Sequence, residues 1–318
     1  MKNFWPVIFI IIFVPFIFLT GLKPSSSGKG GKHYLDAKTA QGLREMFRYT
    51  GDSVSFLSSH RGGLDKNFPE NSIDGFANTL RHTYSIIEMD TRYTKDSVMI
   101  VHHDPTLQRT TTGKGNVSDF TLKEIKKLRL KDTEGNITRY RIPAFDEVLK
   151  WAKGKTILVL DKKDVPIREL IKMVERYNAE SYTILMAYTF DDAKLCYKIN
   201  RNIMMQVFIN TPGKIREFDQ TGVPWENVVV FISHQKPDYP EVFKMIHQKG
   251  ALCILGTSRN LDREFINGKV DGIEELKDRY NALYRSGADI LETDIPVKVS
   301  QVVAKRLSSE TFKSKFLR

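Results

Sequence analysis

The sequence predicts an α/β protein built as a (β/α)8 TIM barrel with a small insertion after the second strand, and three observations carry that expectation. Eight short runs have strand character: VSFLSSH (54–60), SIIEMD (85–90), TILVLD (156–161), YTILMAY (182–188), IMMQVFI (203–209), NVVVFIS (227–233), ALCILGT (251–257) and ADILETD (288–294). Helical patterns separate most of them, which is the alternation of a parallel sheet with crossover helices. Many of the runs are apolar at both alternating positions, as strands buried on two faces must be. An open doubly wound sheet shares these features, because periodicity does not decide closure. The segment after the first run, HRGGLDKNFPEN, has neither the GxGxxG nor the GxxxxGK[ST] spacing of nucleotide-binding loops.

The elements follow in order. Residues 4–22, FWPVIFIIIFVPFIFLTGL, carry no charge, stand behind Lys2 and precede a Ser/Gly-rich stretch. That is the signature of a membrane-targeting segment, close to the ~20 apolar residues that span a bilayer. Pro6 and Pro15 are tolerable in a membrane helix. A signal peptide or membrane anchor with its linker is therefore expected over 1–32, a barrel over 33–318, and a location at the periplasmic or extracellular face. NSIDGFANTLRH (71–82) has helical spacing with Asn71 or Ser72 as its cap. VMIVHHD (98–104) is a further strand-like run beside the second strand. Residues 104–143 then break the alternation, with Gly-centred turns and one short helix expected over 121–128. An excursion at a barrel mouth is a natural substrate cover. Helices are expected over 145–154, 166–177, 190–200, 239–250, 274–287 and 296–307, and 210–226 reads as a looser Pro/Gly segment.

Of the 318 residues, 41% are hydrophobic and 27% charged, which supports a sizeable core and argues against disorder. Net charge is +11, but no extended Arg/Lys block or aromatic-basic repeat accompanies it. Nucleic acid is thus not the expected partner, whereas a small anion or an anionic membrane surface is compatible with the charge. Cys196 and Cys253 lie in apolar patterns and read as buried thiols rather than a disulfide framework.

Chemistry concentrates at the C-terminal ends of the strands, which in a barrel gather around one mouth. Those ends bring His60 and Arg61, Glu88 and Asp90, His103 and Asp104, Asp161 and Lys163, and Glu292 and Asp294. Glu88 and Asp90 are two apart and face the same way. Facing inward they need a cation or a shifted proton, and Asp161 completes a hard oxygen set suited to Mg2+ or Ca2+. Facing outward they would pair with helix cations instead. His60 and His103 are candidate proton-transfer groups. His102 should point the opposite way from His103, and His234 is a reserve candidate. Arg61 and Lys163 suit phosphate oxygens. The same residue types occur in sugar isomerase or aldolase barrels, where Lys163 would form a Schiff base.

Spaced motifs then narrow the choice. His60-Arg61-Gly62 with Pro69-Glu70-Asn71, Glu88-Met89-Asp90, His103-Asp104-Pro105-Thr106-Leu107-Gln108-Arg109-Thr110 and Thr293-Asp294-Ile295-Pro296 stand in one order across the chain. In them the chain resembles the glycerophosphodiester phosphodiesterase family, within the phosphatidylinositol-specific phospholipase C-like barrels. The resemblance implies His60 and His103 as the acid-base pair. It also implies one divalent ion, Ca2+ or Mg2+, on Glu88, Asp90 and the acidic residue of the third strand. Family members have Glu-x-Lys there, and this chain has Asp161-Lys162-Lys163. A Trp-containing element near the seventh strand is replaced by Leu255-Gly256-Thr257-Ser258, which bears on headgroup recognition.

The implied reaction releases sn-glycerol 3-phosphate and an alcohol from a small, lipid-derived phosphodiester. His60 is expected as base and His103 as acid in a first step that forms a cyclic phosphate; direct attack by water is the alternative. A phospholipase C- or D-like enzyme acting on intact lipid, and a non-catalytic phosphoglycerol-binding barrel, are the rival readings. Subunit number is not encoded in any of these features.

Overall fold

The strand-like runs form β1 (Phe56–Ser59), β2 (Ser85–Tyr93), β3 (Met99–Val101), β4 (Leu158–Lys162), β5 (Thr183–Ala187), β6 (Met204–Phe208), β7 (Val228–Ser233), β8 (Cys253–Gly256) and β9 (Ile290–Thr293). In this computed structural model the described residues are Met1, 32–51, 56–303 and 312–318. The segment expected to target a membrane lies outside them. Among the described residues no helix is long and apolar enough to cross a membrane.

The strands lie in the order β1-β9-β8-β7-β6-β5-β4-β2-β3, and β1 also pairs with β2. Eight parallel strands therefore close into a barrel, which excludes the open sheet. The ninth, β3, pairs antiparallel with β2 and extends it beyond the barrel wall. Register matters at two seams. Asp90 lies beside Asp161 on β2 and β4, and Ser58 lies beside Glu292 on β1 and β9.

Helices cover the strands: α1 (Ala40–Phe47), α2 (Ile73–His82), α3 (Leu122–Ile125), α4 (Phe145–Ala152), α5 (Ile167–Arg176), α6 (Phe190–Ile199), α7 (Pro212–Asp219), α8 (Glu241–Gln248), α9 (Leu261–Ile266), α10 (Lys277–Arg285) and α11 (Pro296–Val302). Ser72, not Asn71, caps α2, its hydroxyl accepting from Gly75 N at 3.0 Å. The loose reading of 210–226 needs correction. Thr211 caps α7 and Pro212 occupies its first turn, where a proline's missing N–H costs nothing and its fixed φ suits the helix. The short helix of the excursion starts at Thr121 with a capping box closed by Glu124 and ends at Ile125.

Two hydrophobic cores result. The main one fills the barrel and the strand–helix interface, with Met89, Leu160, Leu185, Met205, Val230 and Leu291 among its fully buried members. The segment between β3 and α4 has its own, built from Ile100, Leu107, Val117, Ile125, Leu130 and Ile142.

Candidate active site

Strand β1 delivers its tip as a tight turn, His60–Gly62, and three successive residues there have left-handed φ: Arg61 (55°), Gly62 (82°) and Gly63 (95°). A Cβ on Gly62 would lie 2.1 Å from the Phe76 ring, so this close approach to α2 requires glycine. Arg61 bears the strain of a non-glycine left-handed residue. In return its backbone N–H donates to Glu88 Oε2 at 2.8 Å, and its carbonyl accepts from Asn71 N at 2.8 Å. Asn71 Nδ2 in turn donates to Asp90 Oδ2 at 2.7 Å.

Glu88, Asp90 and Asp161 face inward and are all buried. One carboxylate oxygen from each lies within 4.8 Å of the others. Burial, then the charge of Asp90, pushes the Glu88 carboxyl well above its ordinary range. Burial acts the same way on Asp90 but is overruled by Lys163, His103 and Arg61, which hold it low. Lys163 Nζ lies 3.0 Å from Asp90 Oδ1 and 2.5 Å from Asp161 Oδ2, and Tyr188 Oη donates to Asp161 Oδ1 at 2.7 Å. Three converging carboxylates, one of them driven toward protonation, suit a hard divalent cation. A second group that could hold a metal ion, His247, Cys253 and Asp289, lies at the opposite end of the strands. There Asp289 Oδ2 already accepts from His247 Nε2 and Cys253 N, both at 2.8 Å. Both cysteines are buried and free.

The two histidines have opposite surroundings. His60 Nδ1 donates to Asp294 Oδ1 at 2.6 Å, and its Nε2 lies 3.9 Å from Glu88 Oε2. Burial opposes a charge on this ring, but the Asp294 hydrogen bond and the nearby Glu88 and Glu292 carboxylates win and hold it up to about 10. These contacts favour the protonated ring. Burial lowers His103. Its Nδ1 donates to Asp104 Oδ1 at 2.7 Å, leaving Nε2 as a free acceptor in the neutral ring. His102 points away, buried, with Nε2 at 3.1 Å from Thr106 O.

A charged relay ties the excursion to the β1 turn. Arg109 Nε donates to Asp104 Oδ2 at 2.6 Å, its two terminal nitrogens reach Glu70 at 2.8 Å each, and Glu70 also accepts from Arg61 Nη1 at 3.1 Å. Bidentate arginine–carboxylate pairing of this kind fixes orientation as well as charge.

Six of the seven residues expected from the sequence, His60, Arg61, Glu88, His103, Asp161 and Lys163, line one cleft of about 860 Å³, and the seventh, Asp90, is buried beside Asp161. Sequence reasoning did not give roles to Glu70, Arg109, Asp294, Tyr188 or Gln206, which share the cleft. Glu70, Arg109 and Asp294 sat inside the quoted motifs. Gln206 offered one weak signal, an amide in an apolar strand. The reserve candidate His234 also lines the cleft, whereas His82 is engaged with Asn78 O at 2.9 Å and lies outside it.

Residues 60–273 match the Glycerophosphoryl diester phosphodiesterase family. The chain belongs to that family. A glycerophosphodiester phosphodiesterase of Caldanaerobacter subterraneus is 38% identical over 255 residues, covering 79% of this chain and 98% of that protein. The crystal structure of a glycerophosphoryl diester phosphodiesterase from Parabacteroides distasonis superposes with TM-score 0.86 at 36% identity, over 91% of this chain and 99% of that one. A phosphodiesterase of Oleispira antarctica, solved with its product sn-glycerol-3-phosphate, shares the fold at TM-score 0.59 and 18% identity, over 80% and 98% of the two chains. This family member is accordingly a phosphodiesterase of the glycerophosphodiester class.

Proposed function

We propose that the enzyme hydrolyses a glycerophosphodiester to sn-glycerol 3-phosphate and an alcohol, with His60 as the first-step acid and His103 as the first-step base. The observation that carries this reading is two histidines lining one cleft beside three buried carboxylates, each with its Nδ1 hydrogen-bonded to an aspartate, His60 to Asp294 and His103 to Asp104. The product named for the Oleispira antarctica relative and the activity named for the Caldanaerobacter relative support the choice of substrate. This proposal takes the opposite order from the sequence-based expectation of His60 as base and His103 as acid, since the Asp294 hydrogen bond favours the protonated His60 and burial the neutral His103.

In the first step the glycerol hydroxyl next to the phosphate attacks phosphorus and gives its proton to His103 Nε2. The bond from phosphorus to the alcohol oxygen breaks, and His60 passes its proton to that oxygen. A cyclic phosphate remains. In the second step water adds to phosphorus and gives a proton to His60, while His103 returns its proton to the glycerol oxygen as the ring opens. One water is consumed and both imidazoles regain their starting states. Arg61 and Lys163 stand against the charge that gathers on the phosphate oxygens. Glu88, Asp90 and Asp161 would hold one Ca2+ or Mg2+, which when bound supplies positive charge beside the phosphate.

The test is a panel of glycerophosphodiesters with coupled detection of glycerol 3-phosphate, run with added Ca2+ or Mg2+ and with chelator. Metal-dependent glycerol 3-phosphate release is expected. Absence of release across the panel would overturn the assignment in favour of a binding protein. The charge-free segment at 4–22 supports export, with the barrel on the periplasmic or extracellular side of a membrane. Protease added to spheroplasts, whose outer envelope is opened while the inner membrane stays sealed, should cleave the barrel domain; complete protection there would refute that placement.

A further inference from the structure

The cleft continues well past the histidines, and its far half differs in chemistry. The carboxylates lining the cleft, Glu70, Glu88, Asp161, Glu292 and Asp294, all belong to the side built by β1, β2, β4 and β9. From β6 to β8 and the loops and helices that follow them, none lines it among the described residues. Three cations stand there instead: Lys214 in the first turn of α7, Arg259 after β8, and Arg263 on α9. All three are exposed, and none makes an ion pair among the described residues. An aromatic rib crosses the floor below them. Tyr188 stacks on Phe208 at 5.0 Å between centroids, Phe208 meets Phe231 at 5.5 Å, and Phe231 meets the His234 ring at 4.8 Å. The rib begins at the acidic cluster through the Tyr188–Asp161 hydrogen bond. On β6 the wholly buried amide of Gln206 lines the same cleft with neither its oxygen nor its nitrogen hydrogen-bonded. A buried amide without partners is costly in a folded protein, and it points to ligand hydroxyls.

Direction along the cleft follows from the carboxylates. Glu88, Asp90 and Asp161, which would hold a cation beside the phosphate, lie on β2 and β4. The small glycerol moiety is taken up on that side, and the half of the cleft lined from β6, β7 and β8, where His234 stands, is left for the alcohol. The His234 ring also packs over Gly256, where an added Cβ would lie 2.3 Å from Nδ1. That glycine belongs to the Leu255–Ser258 stretch that replaces the tryptophan element.

We propose that the part of the cleft framed by β6, β7 and β8 is a leaving-alcohol subsite for a polyol that carries its own phosphate, with Lys214, Arg259 and Arg263 facing that phosphate. This rests on the diesterase reading above and extends it to substrate class. The aromatic rib takes the carbon face of the polyol and Gln206 its hydroxyls, an apolar floor with few placed polar groups. An unpaired cation trio repels a quaternary ammonium, so a choline headgroup is disfavoured despite the aromatic floor.

The experiment compares kcat/KM for glycerophosphoinositol 4-phosphate, glycerophosphoinositol and glycerophosphocholine, all yielding glycerol 3-phosphate. Exposed charge contacts contribute roughly two- to five-fold each. The phosphorylated diester should therefore be preferred over glycerophosphoinositol by roughly tenfold or more, with the preference shrinking as salt is raised. The triple variant Lys214→Gln/Arg259→Gln/Arg263→Gln should lose most of that preference, and Arg259→Gln alone roughly a third to a half of it on a logarithmic scale. Hydrolysis of all three diesters without preference for the phosphorylated one would overturn the subsite alone, as would choline being preferred or the triple variant keeping the wild-type ratio. Hydrolysis of none would overturn the diesterase reading and the subsite with it.

Discussion

Asp294→Asn tests the proposal that His60 is the first-step acid. Asp294 sits on the Nδ1 side of the ring at 2.6 Å, while Glu88 is approached from Nε2 at 3.9 Å. The contribution of Asp294 is therefore separate from any cation held by Glu88. Replacing a charge-assisted hydrogen bond with a neutral one removes about 1.5 kcal/mol. At ~1.36 kcal/mol per pH unit, His60 should fall from about 10 to about 9. The sign follows from its role: the protonated ring is the working form, so activity is present below its pKa and lost as pH rises through it. The alkaline limb of kcat/KM should move down by about one pH unit for an alkyl diester, with little change near pH 6. A glycerophosphoryl 4-nitrophenyl diester supplies the control, since nitrophenolate leaves without a proton and kcat/KM reports only as far as its release. For that substrate the alkaline limb set by His60 should vanish in both proteins. An unchanged limb in the variant, or equal shifts for both leaving groups, would refute the assignment of His60 as the first-step acid.

His60→Ala and His103→Ala should each lose ~10²–10⁴-fold in kcat on alkyl diesters while keeping cation binding by calorimetry, and the double variant should lose less than the product of the two because they serve one reaction. Asp161→Ala should weaken cation binding strongly, whereas Asp161→Glu should retain activity with altered Ca2+ over Mg2+ preference, both read by metal titration; wild-type affinity in the Ala variant would remove Asp161 from the ligand set. Glu70→Gln should destabilise the fold by about 3 kcal/mol at pH 7 in urea unfolding, since a buried carboxylate between two arginines is lost. Burial pushes Glu70 up, but Arg109 and Arg61 hold it below its ordinary value. Its contribution is therefore present above the unfolded pKa of about 4.3 and disappears as pH falls through the folded one, so the two proteins should converge in acid. Gly62→Ala places a methyl group into the Phe76 ring and should lower the thermal midpoint by several degrees; an unchanged midpoint would show that α2 gives way freely.

The barrel was legible because burial on both faces leaves a mark in each strand separately. Val159, Ile184, Met205 and Val229 announce their strands by local composition alone. The acidic trio was legible for the same local reason, two carboxylates at i and i+2 on one strand with a third on the next. What joins His60 to Asp294 was not, because the two are 234 positions apart and meet only when β9 closes against β1. The proposed order of acid and base rests on that contact, which no periodicity encodes. The helix α7 was missed because Thr-Pro-Gly reads as a turn unless Thr211 is recognised as a cap. Gln206 was invisible as a cleft residue since its strand is otherwise apolar. The excursion was identifiable by its loss of alternation, but its link to the site through Arg109 and Glu70 depends on tertiary placement.

The small core of Ile100, Leu107, Val117, Ile125, Leu130 and Ile142 has a consequence for the order in which the enzyme fails. A segment with its own hydrophobic cluster, joined to the barrel by β3, the Arg109–Glu70 pair and the Asn67–Asp132 hydrogen bond, can open as a cooperative unit while the closed sheet persists. His103 and Asp104 stand at its root, so its opening removes the proposed first-step base. On heating, turnover should cease before the barrel's amide protons exchange, and brief excursions above that point should be reversible on cooling because the parallel strands never part. The working temperature is then set by a cluster of six apolar side chains outside the barrel rather than by the far larger core within it.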